Sequence, residues 1–275
     1  MNSLTPEMEA LKARLRSTWM AGDYGQLPKY NKAQSQWTEE FISRLLVTPN
    51  TKVLDVACGT GNFCISAARR GATVTGVDIA PNLLEQARTR AESEGLEIQF
   101  DEGDAEQLPY DDASFDLVVS IFGAMFAPRP EKVATELIRV CRSGGRIAMA
   151  NWTPEGFTGE LFKVTAKHAP PPQGMPSPLL WGDESTVRER LREGISDLKL
   201  TRRMFVIEFP FDETETVEFF RTYFGPIKLV FEALDNEKQA ELRRDLERLW
   251  KKSNRATDGT TNVEAEYLEV IALRS

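Results

Sequence analysis

Three aspartates and a glycine loop hold the chemistry that this sequence can do. Asp55 interrupts the apolar run of "VLDVACGTGNF" (53–63), Asp78 closes "TVTGVD" (73–78), and Asp104 follows the run "EIQFD" (97–101). Gly59-Thr60-Gly61 opens a helix directly after a strand, so its backbone can approach a ligand at the helix N-terminus. An acid seventeen residues past Gly61, at the end of the next strand, can accept both ribose hydroxyls of a nucleoside. Its charge repels a 2′-phosphate, which disfavours NADP and leaves NAD or an adenosine ligand. A dinucleotide loop wants a small residue where Cys64 stands, and it needs no acid at Asp55. Singly, each aspartate reads as a turn or capping residue. As an ordered trio with no Lys or Arg expected beside them, they suit a cationic ligand without phosphates better than a pyrophosphate.

The elements that must position these residues repeat as strand then helix. Strand-like runs are 52–57, 73–78, 97–101, 115–121 and 146–151, with helix-like stretches at 61–70, 81–94 and 130–141. Such alternation predicts an α/β fold, a mostly parallel sheet with helices on both faces and its ligand beyond the carboxyl ends of the strands. Before it stand two helices, one capped by Thr5 with Pro6 in its first turn, the other over about 35–47 with Trp37, Phe41 and Leu45 on one side. After residue 151 the rhythm changes to a Pro-rich loop and a helix that Asp183 can cap. Two further strands follow at about 202–209 and 265–273, held apart by helices at 213–224 and 235–253. The expected organisation is an N-terminal helical cap (1–50), a ligand-binding core (51–152), and a second half of the same domain (153–275) with a lid and a helical insertion between the last two strands.

With 275 residues and 41% hydrophobic residues the chain can form one large α/β domain. A net charge of −8 gives no broad basic footprint, so neither nucleic acid nor an anionic membrane is an expected partner. No long apolar segment or signal-like leader is visible, which predicts a cytoplasmic protein. Three cysteines, Cys58, Cys64 and Cys141, and one histidine assemble no zinc set and read as reduced, structural thiols. No metal is expected.

In order, "VLDVACGTG" (53–61), "GVDIA" (76–80), "GDAEQLPYDDASFDLVVS" (103–120) and "ELIRVCRSGGRIAMANW" (136–152) resemble the class I S-adenosylmethionine-dependent methyltransferases. The branch is methyltransferase type 11, similar to the ubiquinone/menaquinone-biosynthesis C-methyltransferases. The resemblance covers about residues 35–152 and implies a Rossmann-like, seven-stranded sheet with S-adenosyl-L-methionine as cofactor and S-adenosyl-L-homocysteine as product. It further implies that Gly59 and Gly61 face the cofactor and that Asp55 is oriented toward its amino-acid portion. Asp78 would hold the ribose, Ile79 would pack on the adenine, and Asp104 with the Ala105 N–H would read the adenine edge. Ser120 and Ile121 would lie beside the methionine part. The family's first motif glycine is Ala57 here.

On the acceptor side, His168 precedes the Pro-rich loop and is a conceivable general base. The resemblance implies that the N-terminal helix and the segments after strands four and five close over the acceptor. Aromatic and Met residues there predict an enclosed apolar pocket, with Tyr24, Phe122, Met125 and Trp181 as the substrate contacts. The expected activity is methyl transfer to a small-molecule acceptor, apolar or aromatic, by a monomer or homodimer. An NAD-dependent oxidoreductase and a non-catalytic S-adenosylmethionine-binding module stand as alternatives.

Overall fold

The computed structural model describes residues 4–275, so the first three residues of the expected N-terminal cap lie outside it. Helix α1 (Pro6–Met20) starts where expected, with the Thr5 hydroxyl accepting the Met8 N–H. A short turn α2 (Leu27–Tyr30) leads into α3 (Lys32–Ser43). The core then runs β1 (Lys52–Val56), α4 (Asn62–Ala68), β2 (Thr73–Asp78), α5 (Pro81–Ser93), β3 (Gln99–Glu102), β4 (Phe115–Ile121), α6 (Pro130–Val140) and β5 (Cys141–Trp152). Beyond it come α7 (Phe157–His168), α8 (Glu184–Arg190), β6 (Ile195–Phe209), α9 (Glu213–Tyr223), α10 (Gly225–Ala233), α11 (Asn236–Ser253) and β7 (Thr261–Arg274).

The seven strands form one sheet in the order β3-β2-β1-β4-β5-β7-β6. β1 to β5 are mutually parallel, whereas β7 lies antiparallel between β5 and β6. The chain therefore reverses its direction of travel across the sheet between β1 and β4. The crevice at their carboxyl ends is where such sheets bind ligands.

Two apolar clusters bury the two faces. One gathers Phe41 of α3, Leu45 just beyond it, Phe63 of α4 and Leu84 of α5 with Val53, Val74 and the insertion's Leu242, Leu246 and Trp250. The other gathers Leu137 of α6 and Val187 of α8 with Leu54, Val118, Ile147 and Val270. In α6 the apolar residues Val133, Ala134, Leu137 and Val140 recur at three- and four-residue spacing, which puts them on the buried face.

Two differences from the expected elements have local causes. The insertion holds a third helix, α10, because Gly225-Pro226 starts a new helix instead of only ending the previous one; Pro is preorganised for a first turn. β6 begins seven residues early, at Ile195 rather than 202. Its first half, with Asp197, Lys199, Arg202 and Arg203, lies at the sheet edge, where charged residues on a strand deter pairing with another chain.

Candidate active site

Asp55 stands near the end of β1, between Gly76 of β2 and Val119 of β4. It is 2% exposed. Its Oδ2 accepts the Cys64 S–H at 3.3 Å, while Oδ1 is buried without a partner. Burial pushes the carboxyl up to about 7; the Cys64 bond pulls it down and the charge of Asp78 adds to the rise. Cys64 therefore does more than pack the helix: it supplies the only hydrogen bond to this acid among the described residues. All three cysteines are buried free thiols.

Asp78, the last residue of β2, holds the glycine loop. Its Oδ2 accepts the Gly59 N–H at 2.8 Å and its Oδ1 accepts the Ala80 N–H at 2.9 Å. Burial pushes its carboxyl above the usual carboxylate range and these two bonds counter the rise. Gly59 has φ +54 and a Cβ there would meet nothing within 4 Å, so the loop is open toward the cavity. Ala57 also sits in the left-handed region, φ +57, at the position of the family's glycine. Gly123 makes room for it, since a Cβ at Gly123 would lie 2.6 Å from both the Cβ and the carbonyl oxygen of Ala57.

Asp104 follows β3 and turns back on itself through the Glu106 N–H at 2.9 Å. The expectation of a site without basic residues fails here. Lys12, almost fully buried on α1, pairs with Asp104 and with Glu106. Glu106 is in turn held by the backbone N–H and Nε of Arg129 at 2.7 and 2.6 Å. A buried carboxylate such as Glu106 needs a partner cation, and α1 delivers it, laying Leu15 and Trp19 along the same wall.

Lys12, Asp55, Gly59, Asp78 and Asp104 line one end of a cavity of about 330 Å³, together with Ala57, Ile79, Ala105 and Ile121. The other end is aromatic. Phe122 stacks on Trp152 with ring centroids 3.7 Å apart, Trp37 meets Phe205 edge-on at 5.2 Å, and Phe209, Phe220 and Phe224 continue the wall. Tyr24 lines it too, packed against Phe224, its hydroxyl buried without a hydrogen-bond partner and held protonated by burial. The unpartnered Asp55 oxygen and the open Gly59 fit a cofactor that carries an ammonium and a sulfonium and no phosphate.

Five expected contacts are not on the cavity wall. Gly61 is a packing position, since a Cβ would press on Ala87 and Phe100 at 3.1–3.3 Å. The Ser120 hydroxyl donates to the Val56 carbonyl at 2.8 Å and accepts the Ala124 N–H at 3.0 Å, tying β4 to β1. Met125 and Trp181 lie in the apolar cluster on the other face of the sheet, Trp181 beneath the Arg190 guanidinium. His168 ends α7 and its Nε2 lies 3.1 Å from Asp245 Oδ2 of α11, a tie between two helices. Conversely, Lys12, Asn31, Gln34, Thr158 and the β6 residues Phe205, Ile207 and Phe209 line the cavity without having been read as site residues. Only the apolar side of β6 and the Asn31 position just ahead of α3 gave any sequence signal.

Residues 54–149 match the family described as "Methyltransferase domain". An uncharacterised protein of Mycobacterium tuberculosis is 36% identical over 270 residues, covering 97% of this chain and 96% of that one. A demethylmenaquinone methyltransferase of Deinococcus radiodurans is 39% identical over 140 residues, 49% of this chain and 58% of its own length. Among solved structures, a putative methyltransferase from Bacillus halodurans superposes with a TM-score of 0.59 at 22% identity, covering 86% of this chain and 97% of that one.

Proposed function

Because the chain belongs to the class I S-adenosylmethionine-dependent methyltransferases, we propose that it methylates a small, uncharged, largely apolar acceptor held in the aromatic half of the cavity. The observation that carries this reading is the wall itself: beyond the cofactor end, it is built of Trp37, Phe122, Trp152, Phe205 and Phe209, with neutral Tyr24, Asn31, Gln34, Thr38 and Thr158 as its polar members. A charged acceptor would lose its hydration there without a compensating partner. The likeness of half the chain to a demethylmenaquinone methyltransferase favours ring carbon or ring oxygen as the atom methylated.

S-adenosylmethionine, when bound, supplies a methyl group on a sulfonium. The chain's own part is binding, alignment and exclusion of water. Asp55, Asp78 and Asp104, which line the cavity, would hold the charged and polar ends of the cofactor, and Ile121 and Phe122 would stand where the cofactor end gives way to the aromatic end. Tyr24 is the titratable group along the aromatic end among the described residues, and burial keeps it protonated. Tyr24 therefore orients the acceptor and does not take its proton; the proton released on methylation of a ring carbon or oxygen passes to solvent.

The test is label transfer from methyl-labelled S-adenosylmethionine to a panel of phenols, quinols, carboxylates, amines and thiols. Transfer to phenols or quinols is expected. Transfer confined to carboxylates or to protonated amines would overturn the reading.

A further inference from the structure

Asn31 stands at the head of α3, where an asparagine ordinarily folds back to cap its own helix. It makes no such bond. Its Oδ1 instead accepts the backbone N–H of Glu208 at 3.3 Å. Glu208 lies on β6, the last strand of the sheet, whose outward N–H groups have no neighbouring strand to donate to. Asn31 closes one of those edge positions.

That bond has a chemical consequence on the opposite side of the amide. A carboxamide has one accepting and one donating end, and a backbone N–H fixes which end faces it. With the oxygen committed to Glu208, Nδ2 is directed away from the strand. The residue is 4% exposed and lines the cavity, as do Ile207 and Phe209 on either side of Glu208. Nδ2 has no protein acceptor among the described residues, and it is not one of the sealed, unpartnered atoms such as Asn151 Nδ2. Its remaining surface therefore opens onto the aromatic end of the cavity. Of the other polar members of that wall, the Thr38 hydroxyl is spent on the Gln34 backbone carbonyl at 2.9 Å, and the Tyr24 hydroxyl can rotate to donate or accept. Gln34 and Thr158 make no side-chain hydrogen bond among the described residues, so they can turn to donate or accept.

We infer that Asn31 is the specificity-determining donor of the acceptor site, selecting molecules that present a carbonyl, phenolic or ether oxygen and setting their ring orientation toward the methyl group. A donor held in an apolar chamber rewards a ligand that accepts its hydrogen bond and penalises one that leaves it unpaired. This rests on the reading of the aromatic end as the acceptor site.

The experiment uses two matched bicyclic probes that differ by one oxygen, tetralin and 1-tetralone, titrated into the S-adenosylhomocysteine complex and followed by tryptophan fluorescence. Wild-type protein is expected to bind the ketone at least tenfold more tightly than the hydrocarbon. In Asn31→Leu the difference should vanish, with tetralin binding retained; S-adenosylhomocysteine affinity reports whether the variant is folded. Equal affinity of the wild-type protein for both probes would overturn the role of Asn31 while leaving the aromatic acceptor site standing, and it needs no variant to be folded. Preference for the ketone retained in folded Asn31→Leu would overturn it as well. Failure of both probes to bind the wild-type protein would instead overturn the acceptor site, and the inference with it.

Discussion

Replacing Asp55 by Asn should make the ligand-free protein more stable, and increasingly so as the pH rises. The folded carboxyl is pushed from 3.8 up to about 7, chiefly by burial. A raised acid binds its proton more tightly in the folded state than in the unfolded one. Stability is therefore lost as the pH climbs from about 4 to about 7, and the full cost is present above that range. At 1.36 kcal/mol per pH unit, the ionisation of Asp55 costs the fold ~4 kcal/mol at pH 8 and ~2 kcal/mol at pH 5. Asn cannot ionise, so the gain from Asp55→Asn should be about 2–3 kcal/mol larger at pH 8 than at pH 5. Any fixed penalty of the amide, such as a misplaced N–H at the unpartnered Oδ1 position, is the same at both pH values and drops out of that difference. Urea unfolding of both proteins, stripped of cofactor and followed by tryptophan fluorescence, measures it. A gain that is flat between pH 5 and 8 would show that Asp55 ionises normally and would remove the argument built on its burial.

The same carboxyl couples cofactor binding to pH. If the ionised form is the one that binds, S-adenosylhomocysteine affinity should fall about eightfold between pH 7.5 and pH 6 in the wild-type protein, and calorimetric titration of Asp55→Asn should show no such trend. Gly123→Ala drives a Cβ into the Ala57 backbone oxygen at 2.6 Å, so it should cost about 2–3 kcal/mol of stability and weaken cofactor binding; a variant as stable as wild type in urea would contradict this. His168→Gln should leave label transfer unchanged and cost less than about 1 kcal/mol of stability, because His168 ties α7 to α11 and is not on the cavity wall; a large loss of transfer with intact cofactor binding would restore it as a base.

What could be read from the sequence was governed by how local its cause is. β2 and β4 have the bounds their apolar runs predict, 73–78 and 115–121, because both strands are buried in the middle of the sheet. The aspartates Asp55, Asp78 and Asp104 could be read because each stands near, at or just past the end of a strand, at a spacing that the βαβ geometry imposes. β6 was half visible, since its edge position fills its first half with charge. Lys12 was not visible at all: it meets Asp104 across 92 residues of chain, and nothing on α1 marks one lysine among its charged neighbours. Met125 and Trp181 share the aromatic and sulfur character of pocket residues, yet face the opposite side of the sheet. Which face a residue joins after a strand end depends on the turn that follows, and composition does not record it.

The strand order carries a consequence for how the molecule is made. β6 pairs only with β7, and β7 is the last element of the chain, separated from β6 by α9, α10 and α11. As the polypeptide emerges N-terminus first, β1 to β5 can join and complete the cofactor end while β6 still lacks a partner. The wall formed by Phe205, Ile207 and Phe209, and the edge that Asn31 closes, come into place only when β7 slots between β5 and β6. The end of the cavity lined by the three aspartates is thus assembled early from one continuous stretch of chain, and the β6 side of its aromatic end is the last part of the wall to form.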